Sequence, residues 1–344
     1  MPLDYMEAPH LTATELEALV NQIGNTPMRQ ISLVIEGKIR KTHLKLENLN
    51  PTGSMKDRTG LALIQYLEKQ GRLHEESIVI ESSSGNLGVA LALQCKAKGY
   101  PFVAVIDPKT TQENIFKMKA LGAAIEVVCQ ADAKGGYLLS RLAYVREMCC
   151  RDDRYIWTDQ YSSPANPLAH YSSTGPEIYH QMGRQVDAIF VPVSTGGTLA
   201  GIGRFFREAS PSTRIIGVDA RGSVVFGTLP AERKLTGIGS SRRSTFLQGS
   251  LYDTYILVGD EEAFTFCRAL YVSTGIKLGG SSGATLAACA RYLADHPSIE
   301  NVVCVCADRG ENYDSSIFND EWLYQQHVEL SRESAGPVEQ ILPA

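Results

Sequence analysis

The chain has 344 residues, 44% of them hydrophobic and 21% charged, and 33 basic against 38 acidic side chains leave a net charge of -5. This is an ordinary globular composition, long enough for one large domain or two medium ones. No long basic block occurs, so nucleic-acid binding and polybasic membrane attachment have no electrostatic support.

The opening MPLDYMEAPH lacks a basic stretch followed by an apolar core and does not read as a secretory leader. Further on, SIVIES (77–82) is a buried strand, SSGN a turn, and LGVALALQCKAKG a helix that stops at Gly99. FVAVIDP is the next strand, and TTQENIFKMKALG a helix with Gly122 just past its end. AIEVVC is strand-like and 136–150 helix-like. This strand–helix alternation predicts a parallel sheet with helices on its faces. The stretch 161–167, rich in Ser, Pro and Asn, is the expected crossing to a second layer. There DAIFVPVS is a strand, STGGT a turn, and LAGIGRFFREAS a helix. RIIGVDA and YDTYILVG are strands, and Asp260 is expected to cap the helix that follows. The span 283–295 is a helix and NVVCVCAD a last buried strand, while 331–344 has weak periodicity. No apolar run approaches the roughly 20 residues of a membrane span. The eight cysteines form no CxxC pair, and several lie in apolar runs. They read as small buried hydrophobes in a reducing compartment, which places the chain in the cytoplasm.

In open α/β sheets ligands gather at the carboxyl ends of strands, and three turns of that kind carry polar side chains. In ESSSGNLG (81–88), Ser83, Ser84 and Asn86 either present donors to an anion or form a serine-rich helix cap. In VSTGGTLAG (193–201), Gly196 and Gly197 allow an anion nest of amides, with hydroxyls from Ser194, Thr195 and Thr198. This cup lacks the GK[ST] ending of a nucleotide-binding P-loop, and a tight turn is the plainer alternative. In GGSSGATLA (279–287), Ser281 either bonds a ring nitrogen or caps the helix. Upstream, PTGSMKDR (51–58) sets Lys56 between a glycine–serine turn and an Asp–Arg pair. A lysine, a carboxylate loop, a phosphate cup and a serine are together the parts that pyridoxal 5'-phosphate requires.

The motifs NPTGSMKDR, SSGNLGVALA, QYSSPANPLAHYSSTGPEI, STGGTLAGIGR, GIGSS and GGSSGA follow one another in the order of a known family. The chain resembles the fold-type II pyridoxal-phosphate enzymes, in particular the cysteine synthase/cystathionine β-synthase group, from GNTPM at Gly24 to DRGENY at Asp308. The resemblance implies an α/β fold of the tryptophan synthase β type. Two α/β domains with parallel central sheets would hold the cofactor in the cleft between them. The expected division is a small mobile domain over 50–160 and a large one over 161–330, with 1–49 packing on the large domain and a frayed tail over 331–344. It further implies that Lys56 carries the cofactor as a Schiff base, Asn86 bonds its ring hydroxyl, and 194–198 hold its phosphate. Ser281 would face the pyridine nitrogen. Ser83, Ser84 and Gln160 would hold the substrate carboxylate, and the Gly237–Gly239 turn would line the cleft. A neutral hydroxyl at the ring nitrogen makes a weaker electron sink than a carboxylate there, which suits β-elimination over transamination. Lys56, once displaced by a serine derivative, would take the α-proton as general base. An α-aminoacrylate would then receive a nucleophile.

Leu87 in SSGNLG, Ser194 opening the phosphate loop, and GIGSSR ending in Arg242 depart from ordinary cysteine synthases. With DAKGGYLLSR, DARGSVVFG and ADRGENY they resemble a branch that joins O-phospho-L-serine to the amine of L-glutamate and releases phosphate. That branch supplies 2,3-diaminopropionate for a siderophore or peptide natural product. Two anionic substrates favour cationic partners, so Arg141, Arg221 and Arg242 are candidates, with Tyr161 and Ser194 near the second substrate. A cysteine synthase using sulfide, and a regulatory protein that merely retains the cofactor, stay open as alternatives. A homodimer, and a downstream NAD-dependent enzyme of the same pathway, are implied by the resemblance. No metal site is expected. His170 is read as structural, Lys117 and Lys119 as solvated, and the pair Cys149–Cys150 as helix packing.

Overall fold

The structure is a computed structural model that describes residues 3–132, 135–331 and 333–343. Its chain order is α1 (Ala13–Asn21), β1 (Met28–Ile35), β2 (Lys38–Leu46), α2 (Lys56–Lys69), β3 (Ile78–Ser82), α3 (Asn86–Lys98), β4 (Phe102–Ile106), α4 (Gln112–Ala120), β5 (Ala124–Val127), α5 (Leu138–Arg151) and β6 (Tyr155–Trp157). There follow α6 (Ala165–Ala169), α7 (Gly175–Gln181), β7 (Ala188–Pro192), α8 (Gly197–Ala209), β8 (Arg214–Ala220), β9 (Thr254–Val258), α9 (Asp260–Thr274), α10 (Gly280–Asp295), β10 (Val302–Cys306), α11 (Asp320–Gln325) and β11 (Val338–Pro343).

The chain forms two compact units, Met1–Gly24 with Asn50–Asn166, and Asn25–Leu49 with Pro167–Ala344. The first holds a four-stranded sheet, β5-β4-β3-β6, parallel throughout. Its core joins Leu63 and Ile64 of α2, Val79, Leu91, Ala104 and Met118. Helix α3 is buried from Leu87 to Cys95 without a break, which explains an apolar run with no polar stripe. The second unit holds seven strands in the order β11-β1-β2-β10-β7-β8-β9, parallel from β2 to β9. Phe190, Ile216, Phe264, Leu286 and Cys304 lie in its core, each such large side chain stabilising by about 1.5–3 kcal/mol on burial.

Several expectations need correction. The segment expected to pack as one piece over 1–49 is divided, because Met1–Gly24 counts with the first unit and only Asn25–Leu49 with the second. The tail expected to fray carries β11, which pairs antiparallel with β1 from Ile31–Pro343 to Ile35–Val338. An edge strand is half exposed, so its pattern mixes polar and apolar residues. Asp260 is the first residue of α9 and its cap is Gly259; the carboxylate accepts the amides of Lys234 and Leu235 instead. Lys117 is buried, paired with Glu113 at 2.5 Å and set over the Tyr5 ring, whereas Lys119 is exposed. Five of the eight cysteines are buried, and all eight are unpaired thiols. No helix among the described residues is long and apolar enough to cross a membrane.

Candidate active site

Lys56 is the first residue of α2 and is half-buried among buried neighbours. Asn50 C=O accepts the Gly53 amide at 2.8 Å, and Gly53 takes a left-handed φ of 89°. The fully buried Asp57 then clasps Thr52, accepting its amide at 2.7 Å and its hydroxyl. Ser54 Oγ accepts the Lys56 amide at 3.2 Å. The Asp of the Asp–Arg pair therefore locks the loop that aims the lysine. A helix start is also the wrong dipole end for an ammonium, and it favours a neutral amine or an anion.

The remaining candidates of the first unit sit where β3, β4 and β6 end. Ser83, Ser84 and Asn86 follow β3, Asp107 follows β4, and Gln160 and Tyr161 follow β6. The cap residue of α3 is Gly85, and Ser83 Oγ supports the first turn by accepting the amide of Gly88 at 2.9 Å. Its own hydrogen remains for a ligand. Ser84 C=O accepts Asn114 Nδ2 at 3.1 Å. Gln160 Nε2 donates to Ser82 C=O at 3.1 Å, tying the end of β6 to the serine loop. Arg141 of α5 is 8% exposed and meets Asp107 at 3.4 Å, yet its Nε and Nη1 have no hydrogen-bond acceptor among the described residues. In the distinguishing segment 132–141, residues 133 and 134 lie outside the described residues.

Sequence reasoning quoted Glu81 but gave it no role. It is fully buried, and its carboxylate accepts Ser82 N–H at 2.8 Å, Trp157 Nε1 at 3.2 Å, Thr158 Oγ1 at 2.5 Å and Gln160 N–H at 3.1 Å. The carboxylate binds the two loops that carry Ser83, Ser84 and Gln160. The available signal was an acidic residue closing an apolar strand. Burial pushes its carboxyl up to about 7, against four hydrogen bonds that favour the ionised form. Between about 4.5 and about 7 the folded protein holds a proton that the unfolded chain releases, so this group's stabilisation falls as pH rises. Relative to Glu81→Gln, the protein is expected to lose up to about 3 kcal/mol of unfolding free energy across that window and no more above it. Denaturant unfolding at stepped pH checks this; a pH-independent difference would refute it.

In the second unit the cup forms where β7 ends. Gly196 caps α8 at φ 92°, a conformation closed to most residues, and its missing Cβ would fall 2.1 Å from Ser244 Oγ. Thr195 and Thr198 are 5% and 6% exposed. The loop 237–244 folds onto the cup: Gly239 N–H donates to Val193 C=O at 2.7 Å, Ser194 Oγ donates to Gly239 C=O at 3.0 Å, and Ser244 Oγ donates to Thr195 C=O at 2.6 Å. Arg242, half-buried on this loop, has its amide on Ser240 Oγ at 3.1 Å. Gly279 N–H donates to Asp308 C=O at 3.1 Å, so α10 starts beside the end of β10. Ser281 does not cap α10, whose cap is Gly279; it lies in the first turn, fully buried, with Oγ lacking any hydrogen-bond partner among the described residues. A buried hydroxyl without a partner is unfavourable, and a ligand acceptor resolves it. Arg221 stands apart, lining a cavity of about 560 Å³ with Glu232, Asp260, Glu261 and Glu262. Its charge acts on Glu262, whose carboxyl pKa burial raises while Arg291 and Arg221 lower it. Among the described residues no group of three or more His, Cys, Asp or Glu side chains is placed to hold a metal.

Each unit by itself carries features that fit parts of pyridoxal phosphate: an amine at a helix start in the first, and an anion cup of amides and threonines with a buried serine hydroxyl in the second. The chain belongs to the pyridoxal-phosphate dependent enzyme family, whose model matches residues 19–308. It is a fold-type II enzyme with pyridoxal 5'-phosphate as cofactor. It is 41% identical over 307 residues to the N-(2-amino-2-carboxyethyl)-L-glutamate synthase of Ralstonia nicotianae, covering 89% of this chain and 91% of that one. The synthase of the same name from Cupriavidus metallidurans is 40% identical over 309 residues, with the same coverage of both chains. Among solved structures, the O-acetylserine dependent cystathionine beta-synthase of Helicobacter pylori matches with a TM-score of 0.79 at 30% identity, covering 87% of this chain and 97% of that one.

Proposed function

We propose that the protein joins O-phospho-L-serine to the amine of L-glutamate, giving N-(2-amino-2-carboxyethyl)-L-glutamate and phosphate. The observation that carries this reading is Arg141 of α5, a buried guanidinium paired with Asp107 after β4, two of whose nitrogens have no hydrogen-bond acceptor among the described residues. A planar guanidinium fork suits a phosphate or a second carboxylate. The names of the two bacterial relatives favour glutamate over sulfide as nucleophile.

Pyridoxal phosphate, when bound, supplies the electron sink that labilises the Cα–H and Cβ–O bonds of an amino acid. The residues 194–198 hold its phosphate, Asn86 its ring hydroxyl and Ser281 its ring nitrogen. Lys56 Nζ anchors it and then takes the substrate Cα proton. Ser83, Ser84 and Gln160 orient the α-carboxylate, one Gln160 amide hydrogen being already committed to Ser82. Arg141 receives the leaving phosphate, while Tyr161, Ser194, Gly239 and Arg242 face the glutamate. The product supplies 2,3-diaminopropionate for a siderophore or peptide natural product, through a downstream NAD-dependent enzyme. The protein works in the cytoplasm as a homodimer.

The solved relative named for an O-acetylserine dependent reaction keeps a second reading in view, a cysteine synthase using sulfide. Cofactor-loaded protein given O-phospho-L-serine with L-glutamate or with sulfide separates them by product mass. The glutamate adduct and phosphate are expected in equal amounts; cysteine alone would overturn the assignment.

A further inference from the structure

Arg309 lies in ADRGENY, a segment that no role above uses. Its side chain is half-buried, and its Nε and Nη2 are both shut off from solvent with no hydrogen-bond acceptor among the described residues. The hydrogens on those two nitrogens leave one edge of the guanidinium in parallel, at the spacing of the two oxygens of a carboxylate. Arg154 makes this pairing elsewhere in the chain: its Nε and Nη2 hold the Asp152 carboxylate at 3.0 and 2.6 Å. We propose that Arg309 is a specificity-determining residue whose Nε–Nη2 edge takes the side-chain carboxylate of the glutamate nucleophile. The proposal rests on the reading of the protein as a synthase that joins phosphoserine to glutamate.

The neighbouring acid does not fill that edge. Arg309 has an extended backbone, φ -77° and ψ 147°, so its side chain and that of Asp308 leave on different sides of the chain. The Asp308 carboxylate is turned to Tyr313, accepting its hydroxyl at 2.7 Å. Lys277, the other cation beside this segment, is paired with Asp314. A guanidinium taken from water without an acceptor is unfavourable, and a ligand with two oxygens offsets that cost. Part of the side chain stays open to solvent, and a small turn about its last torsions brings the edge to a ligand arriving there.

The local fold sets Arg309 at the end of the sheet proposed to meet the second substrate. Strands β10 and β7 are parallel neighbours that end at Cys306 and Pro192, so Arg309 and Thr195 each stand three residues beyond. Arg309 is thus at the carboxyl end of the strands, with the cup and Ser194. The segment is held firmly. Leu278 and Arg309 form an antiparallel bridge, and Gly310 N–H donates to Lys277 C=O at 3.1 Å. Gly310 permits this approach, since a Cβ there would lie 2.6 Å from Lys277 Cγ. The loop 237–244, which carries Gly239 and Arg242, begins against the same segment: a Cβ on Gly237 would lie 3.2 Å from Tyr313 Oη.

The test gives cofactor-loaded wild type, Arg309→Met and Arg309→Lys phosphoserine with L-glutamate, and reads the adduct by mass. L-Glutamine, which has the same shape without the side-chain charge, is followed as an alternative nucleophile or as a competitor. Arg309→Met is expected to raise the KM for glutamate about 10–100-fold, as for lost hydrogen bonds between charged groups, and to leave glutamine unaffected. Arg309→Lys should lose less, and it carries the test if the methionine variant does not fold. The absorbance change produced by phosphoserine alone should be the same in all three proteins, which assigns the loss to the second substrate. Because methionine removes a charge that has no partner, the unfolding midpoint should hold or rise. If glutamate and glutamine weaken alike, or the midpoint falls while the glutamate KM holds, Arg309 does not read the side-chain carboxylate and the proposal is overturned while the function stands. If the wild type forms no glutamate adduct, the proposed function fails and this proposal with it.

Discussion

Lys56→Ala is expected to lower product formation by about 10²–10⁴-fold, the range for removing a positioned general base. It also removes the covalent anchor of the cofactor. The loop around it should persist, because the Asp57 clasp on Thr52 and the Asn50–Gly53 turn do not use the lysine side chain. Alanine is a good helix former and position 56 is only half-buried, so stability should change by less than about 1 kcal/mol. Borohydride reduction followed by peptide mass analysis checks the anchor. The wild type should carry the pyridoxyl mass on the peptide containing Lys56, and the variant should carry none. A label on another lysine would remove Lys56 from its role.

The second large effect is expected at Arg141. Simple truncation leaves Asp107 buried without its cation, which destabilises for reasons unrelated to substrate. The informative variant is therefore Arg141→Met with Asp107→Asn, which removes both charges. It should fold with near wild-type stability and bind O-phospho-L-serine about 10–100-fold more weakly, the loss expected for charge-assisted hydrogen bonds. Arg141→Lys should lose less, since it keeps the charge without the planar fork. The KM for a substrate whose β-substituent carries no charge, such as O-acetylserine, separates the roles. If it rises as much as that for phosphoserine, Arg141 orients the loop and does not hold phosphate.

The buried parallel strands were legible in the sequence because both faces are covered and their apolar runs are continuous, as in Ile78–Ser82 and Val302–Cys306. The hairpin β1–β2 was missed although Glu36 and Gly37, at φ 49° and 72°, make the two-residue turn that such strands favour. Its alternating burial mixes in Arg, Gln and Lys and breaks any apolar run. Strand β6, with three residues, carries too little pattern to find. At the site, glycine turns were readable because a left-handed backbone leaves a mark in the sequence, as at Gly196. Hydroxyl roles were not. Ser83 and Ser281 stand in similar turns, yet the hydroxyl of one accepts a helix amide and that of the other has no partner among the described residues. Which occurs depends on neighbours brought by tertiary contact, as does the use of Glu81 as a hub.

The strand order of the second unit has a consequence for synthesis on the ribosome. Residues Asn25–Leu49 emerge well before their sheet partners β10 and β11, which lie far later in the chain. The first unit has all its strands once Asn166 has emerged, and its local βαβ connections let it close while translation continues. The hairpin β1–β2 must wait, with unpaired edges, for more than half the chain. Chaperone binding during translation should therefore concentrate on that early hairpin and decline once Val338–Pro343 are available to cover its outer edge.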